Sequence, residues 1–239
     1  MGNREALTTT AGVVTYTYDA ANRLTSVGGE TFTWDDRGNL THDGTFTTTY
    51  DAAGRLVGAQ SITNALVYTY NGDGVRVAMP ADGVETRWVQ DTAGLPQVLS
   101  EASGGSAMLY LYGVARLAQV EGADAEWFLG DALGSMRQVV DDSGEIVLVR
   151  DYSPIGVARS ESGAGSSGYG FTGKQWDTDV ELLFLRARFY DPSDGRFVSV
   201  QQPGTPHVWR KPFLASNLPE GIIVPVWWQV CSMEASKWA

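Results

Sequence analysis

Residues 49–58 read "TYDAAGRLVG", and the same outline stands at 33–42 as "TWDDRGNLTH" and at 17–26 as "TYDAANRLTS". An Asp or Asn followed three residues later by Gly or Asn starts at Asp19, Asp35, Asp51, Asn71, Asp91, Asp131 and Asp141. "SPIG" at Ser153 keeps the frame with Ser in the Asp place. A carboxylate or amide at the first turn position accepts backbone N–H groups two residues on, and Gly or Asn at the fourth takes the positive φ that other residues adopt at a cost. The pairs Asp19/Asn22, Asp35/Gly38, Asp51/Gly54, Asn71/Gly74, Asp91/Gly94 and Asp131/Gly134 are therefore expected to form turns. Several equivalent catalytic carboxylates in register would be hard to explain, so the recurrent Asp is read as a hinge.

The flanks alternate. "VVTYTYD" and "ALVYTYN" run into turns, and "RLTSV", "RVAM" and "QVVD" run out of them. Period-two alternation marks half-buried strands, and a strand, a turn and a strand fill roughly 12–16 residues. No stretch before residue 200 shows a helical period. "DVELLFLRARFYDP", 179–192, reads as one strand, with Leu185, Ala187 and Phe189 on one face and Arg186 and Arg188 on the other. The expectation is an all-β fold of successive antiparallel hairpins in a curved sheet.

Composition agrees and narrows function. Twenty-eight Gly, 10 Tyr, 8 Phe and 8 Trp among 239 residues suit strands joined by tight turns. A net charge of -11 repels phosphate backbones, which argues against nucleic acid as a partner. One cysteine, Cys231, and two histidines, His42 and His207, offer neither a disulfide nor a zinc site of familiar spacing. No cofactor or metal is implied. The start, "MGNREALTTTAGVVTYTYD", has no apolar signal region, and the longest apolar run, "GIIVPVWWQV", is too short to span a membrane.

The hairpin outline resembles the tyrosine-aspartate (YD) repeats of Rhs proteins and of their teneurin and insecticidal toxin-complex relatives. "YGFTGKQWDTDVELLFLRARFYDPSDGRFVSV", 169–200, resembles the Rhs repeat-associated core, with Leu185, Arg186, Arg188, Phe189, Tyr190, Asp191, Pro192, Gly195, Arg196 and Phe197 on the family pattern. The resemblance covers about residues 13–200. It implies one part of a β-shell that encases or presents a variable C-terminal effector, often a toxin, in the extracellular space or cell envelope of bacteria that compete with neighbours. Its partners would be the remainder of a longer shell or that effector. The chain divides into an uncapped lead-in (1–12), YD-type hairpins (13–160), a Gly/Ser-rich loop (161–168), the core motif (169–203) and a divergent tail (204–239). We expect it to be the C-terminal piece of a longer shell.

The function so implied is non-enzymatic. Some relatives are self-cleaving aspartyl-type proteases, whose chemistry needs a carboxylate pair, one ionised and one protonated. Asp191 and Arg188 match that region, but Gln201 and Gln202 stand where the resemblance places the second Asp. "GYGFTGKQ", 168–175, has the glycines and lysine of a phosphate loop but ends in Gln175 where Ser or Thr would hold magnesium. Asn39-Leu40-Thr41 meets the glycosylation outline. Aromatics from Tyr16 to Trp127 support an alternative reading, a cell-surface carbohydrate or adhesion module, if they form an exposed row; cross-strand packing is the simpler expectation.

Overall fold

Turn residues end each short alternating stretch before a helix could form, and the chain folds back on itself there. In a computed structural model, residues 3–10, 12–81 and 83–200 are described, and they hold 23 strands and one 3-10 turn, Phe171–Gly173. All described strand pairs are antiparallel and form three sheets. The first contains Ala6–Thr9, Gly12–Tyr18, Leu24–Val27 and Glu30–Thr31 in chain order. The second has fifteen strands, from Thr33–Trp34 to Ala158–Gly163. The third, built by the core motif, contains Gln175–Asp177, Leu182–Phe184, Phe189–Asp191 and Arg196–Phe197. The stretch 1–12, read as a lead-in, thus carries a paired strand, and the strand Ala158–Gly163 runs into the stretch 161–168 read as loop. The tail 204–239 lies outside the described residues.

One register rule repeats. The aromatic before the turn pairs with the residue five after the turn Asp or Asn, as in Tyr18↔Leu24, Trp34↔Leu40, Tyr50↔Leu56 and Tyr70↔Arg76, each beside a β-bulge. A turn whose last residue takes positive φ leaves one residue unopposed, which is the bulge. The bulge fixes which side chains face inward: Leu24, Leu40 and Leu56 follow their turns into the core, all nearly inaccessible.

The inner face is completed by the core motif. Leu40, Leu56, Leu66 and Tyr68 of the hairpins pack with Val180, Leu182, Phe189 and Val198. Trp88, Val98 and Tyr110 pack with Tyr169. Each such side chain contributes roughly 1.5–3 kcal/mol on burial, so residues 169–198 are a structural part of the sheet they cross.

The core motif departs from the single strand expected over 179–192. Leu182–Phe184 turns back to pair with Phe189–Asp191, with Phe184 opposite Phe189. The turn closes through the Leu185 N–H to the Arg188 carbonyl at 2.9 Å, and Arg186 takes φ 64°. A continuous strand would carry Phe189 away from Leu182 and Leu183; folding back brings all three into the core and sets Phe184 and Phe189 5.0 Å apart.

Candidate functional site

Each turn residue is held by its neighbours. The Asp51 carboxylate accepts the N–H groups of Ala53 and Arg55, both at 2.9 Å, and the Arg55 guanidinium at 2.6 Å. Asp19, Asp35 and Asp131 accept the same two backbone N–H groups, and Asn71 does so with its amide oxygen. Asn22, Gly38, Gly54, Gly74 and Gly134 stand at φ 61°, 84°, 72°, 79° and 77°. Hydrogen bonds from Arg23, led by its backbone N–H, lower the Asp19 pKa. At Asp51 partial burial alone would raise the pKa, but the bonds from Arg55 and Ala53 outweigh it and hold the carboxyl below its ordinary value. Asp19 and Asp51 thus hold their charge more firmly than a free carboxyl and are tied to the backbone.

Asp91 and Gly94 behave differently. Asp91 still accepts the Ala93 N–H, but it pairs with Gln97 inside the ladder, and Gly94 has no positive φ. Pro96 occupies the place that Leu56 has after Asp51 and brings no N–H to the ladder, so the hairpin closes two residues later.

The chemistry-bearing site is the seam where residues 166–198 cross the inner face. Along it polar groups hold the core motif to one hairpin after another. Gln119 donates to the Ser166 carbonyl at 2.6 Å, and Arg150 to the Ser167 and Tyr169 carbonyls. Arg116 lies 3.2 Å over the Tyr169 ring and donates to the Gly173 carbonyl. At the other end the Leu40 N–H and the Tyr50 hydroxyl both donate to the Val198 carbonyl, at 2.8 and 3.1 Å.

At the middle of the seam is a buried charge. Arg76 packs its guanidinium 3.9 Å from the Phe184 ring centroid and 4.3 Å from that of Trp88, and donates to Gln175 Oε1 at 2.5 Å. Its counter-ion is Asp177, at 3.6 Å, whose Oδ2 also accepts the Tyr68 hydroxyl at 2.9 Å. Burial raises the Asp177 pKa against the pull of Arg76, and burial pushes the Arg76 pKa down. Sequence reading missed this group, although a signal was present: Arg76 occupies the fifth position after its turn residue, where Leu24, Leu40 and Leu56 stand. A charged residue in an inward-facing frame requires a buried partner.

The remaining core-motif residues also make structural contacts. Arg186 donates to the Pro96 carbonyl at 3.0 Å, and Tyr190 to the Ile155 carbonyl at 2.9 Å. Arg196 donates to the Asn22 carbonyl and to Asn3 Oδ1, which ties the core motif to the first hairpin. Phe197 packs edge-on to Tyr190, Pro192 is buried and Gly195 takes φ 72°. A family model, that of the Teneurin YD-shell, matches residues 1–220.

The chain belongs to the Teneurin YD-shell family.

This YD-shell chain is 26% identical over 151 residues to the toxin subunit YenC1 of Yersinia entomophaga, and 28% identical over 146 residues to the tRNA3(Ser)-specific nuclease WapA of Bacillus spizizenii. These alignments cover 59% and 58% of the chain but only 15% and 6% of the two relatives. Among solved structures, the Photorhabdus luminescens Tc holotoxin pore matches with a TM-score of 0.57 at 16% identity, over 80% of this chain and 12% of that one. A TcdB2-TccC3 crystal structure matches with a TM-score of 0.53 at 17% identity, over 82% and 12%. The YD-shell fold is thereby shown; the chain is similar in length to a small part of these proteins.

Within the YD-shell seam, Arg188 and Asp191 make separate contacts. Arg188 lies 3.6 Å over the Phe197 ring, and Asp191 Oδ1 accepts both the N–H and the hydroxyl of Ser193 at 2.7 Å. Burial raises the Asp191 pKa, and burial together with the Asp191 charge raises that of neighbouring Asp194 to about 6. Asp194 lines a cavity of about 490 Å³ with Arg4, Tyr16, Tyr18, Arg196 and others. Gln201 and Gln202 lie outside the described residues. "GYGFTGKQ" contains the 3-10 turn Phe171–Gly173, with Thr172 at φ 52°, and runs directly into the strand Gln175–Asp177 where a phosphate loop would open a helix. Asn39 is fully buried, its amide bonded to Asp35, so the sequon is closed to a glycan. The aromatics turn inward: Tyr16, Tyr68, Trp88 and Tyr110 are buried, Tyr18, Tyr50, Tyr70 and Tyr112 half-buried, and Trp127 is exposed. They form no exposed row among the described residues.

Proposed function

We propose that this chain is a non-enzymatic wall segment of an Rhs-type bacterial shell, working outside the cell or in its envelope, that anchors and presents the polypeptide following its core motif. The longer protein would use such a wall to encase or display a C-terminal effector in competition between cells. The observation that carries this reading is the seam. Its last part touches the Ile155 turn through Tyr190 and the first hairpin through Arg196, and Leu40 and Tyr50 of the following hairpins hold the Val198 carbonyl. Whatever follows residue 200 starts from an anchored point on the wall. The toxin-related names of the relatives support the same reading.

Intact-mass spectrometry and limited proteolysis of the 239-residue chain test it. The mass is expected to stay constant, and a reporter peptide fused after Ala239 should be clipped well before residues 191–198. A truncated species that forms spontaneously and is abolished by Asp191→Asn or Asp177→Asn overturns the non-enzymatic reading. Equal clipping at 191–198 and in the reporter overturns the anchoring.

A further inference from the structure

The cavity of about 490 Å³ beside Asp194 falls in the size range of small-molecule sites. It lies where the end of the core motif meets the first two hairpins, and its lining combines aromatic rings with four charged side chains, Arg4, Arg23, Arg196 and Asp194. Arg23 is already neutralised by Asp19 at 2.7 Å. Among the described residues no carboxylate oxygen lies within 4.0 Å of the Arg4 or Arg196 guanidinium.

Tyr18 ties these two arginines to one wall. Its hydroxyl donates to the Arg4 carbonyl at 2.7 Å, and the Arg196 guanidinium lies 4.9 Å over its ring. The Arg4 guanidinium lies 5.3 Å over the Tyr16 ring and donates to the Tyr16 hydroxyl at 3.4 Å. Arg196 donates to the Asn22 carbonyl at 3.0 Å and to Asn3 Oδ1 at 2.9 Å. A guanidinium carries five N–H donors, so both side chains retain donors for an added acceptor, and their planar fork matches a carboxylate. Half-buried Trp34 and Phe197 line the same cavity and supply apolar surface.

We propose that this cavity binds a small organic monocarboxylate, its acid group on the N–H edges of Arg4 and Arg196 and its apolar body against Trp34 and Phe197. The charges select the class. Arg4 and Arg196 are opposed by ionised Asp194, which leaves a single positive charge to match, and nearby Asp191 and Asp43 add repulsion against a dianion. Asp194 also makes the site sensitive to pH. Burial and the Asp191 and Asp43 charges oppose its ionisation, Arg4 and Arg196 favour it, and its pKa stands at about 6. A bound anion favours the protonated form further, so binding takes up a proton and affinity rises as pH falls through that value.

Ligand-observed NMR titration of the full 239-residue chain with phenylacetate tests this. The Kd at about pH 5.5 is expected below about 1 mM, an ordinary yield for about ten heavy atoms. At about pH 7.5 it should be about tenfold weaker, the factor that one further unit of Asp194 pKa elevation produces. Acetate, which lacks the ring, and phenethylamine, which carries a cation in place of the acid, should each bind at least ~10-fold more weakly than phenylacetate. Arg4→Gln should keep the melting temperature and lower phenylacetate affinity at least ~10-fold. Arg87→Gln, at an exposed arginine outside the cavity lining, should leave it unchanged. Asp194→Asn gives a readout independent of Arg4: it should bind at about pH 7.5 as tightly as the wild type does at about pH 5.5. No saturable binding at about pH 5.5, equal binding of phenethylamine, or affinity unchanged in Arg4→Gln overturns the proposal. Wild-type pH dependence in Asp194→Asn overturns the part given to Asp194.

Discussion

The Arg76–Asp177 pair gives the most demanding test of the seam, because its two halves should respond unequally. Both side chains are buried, with Arg76 wedged between Phe184 and Trp88. Asp177→Ala leaves a guanidinium that cannot shed its proton, so the uncompensated charge should cost about 3–5 kcal/mol. Arg76→Met keeps the hydrophobic volume and leaves a carboxyl whose pKa is already raised; it takes up a proton and remains bonded to Tyr68. That variant should lose only about 1–2 kcal/mol, in the range of ordinary core changes. The double variant R76M/D177L removes both charges and should recover most of the Asp177→Ala loss.

The pH dependence follows the same logic. A carboxyl with a folded pKa above its unfolded value binds its proton more tightly in the native state, so its contribution is fully present below the unfolded pKa and is lost as pH rises through the folded one. Without Arg76 the folded pKa rises further. The stability of Arg76→Met relative to wild type should therefore fall between acid and neutral pH. Urea denaturation followed by tryptophan fluorescence at several pH values measures the wild type and the three variants. If Asp177→Ala costs under about 1 kcal/mol, or if the double variant is no more stable than Asp177→Ala, the account of a buried charge needing its partner is wrong.

Three further outcomes are expected. Gly54→Ala, at φ 72°, should destabilise by about 1–2 kcal/mol, whereas Gly94→Ala, with ordinary backbone and open space around it, should cost less than ~0.5 kcal/mol; equal costs would remove the distinction between the two turns. Asp51→Ala should cost about 1 kcal/mol by freeing two backbone N–H groups and Arg55, measurable by the shift in urea midpoint. Asp194, with its pKa raised to about 6, stabilises the folded chain most below its unfolded pKa and loses that contribution as pH rises through 6. Asp194→Asn should flatten the stability profile between pH 4 and about 6.5, and an unchanged slope would assign the titration elsewhere.

The amino-acid sequence by itself determined the hairpins. Asp51 and Gly54 act within four residues of each other, through an Asx bond and a positive φ, so the turn, the bulge after it and the inward face of Leu56 follow from local chemistry. The same locality explains why Asp91 misled: its outline is intact, but Pro96, two residues beyond Gly94, withdraws an N–H and moves the closure. The core motif was legible as a family pattern, yet its contacts were not, because Arg76 and Gln175 are 99 residues apart and meet only after the seam has crossed the sheet. The hairpin at Leu185–Arg188 was likewise hidden, since alternation looks the same in one strand as in two that fold together. What tertiary structure decided was which carboxylates carry charge at a cost: Asp51 sits among local donors and stays ionised, whereas Asp177 is desolvated by groups from distant hairpins, and desolvation depends on everything that packs around it.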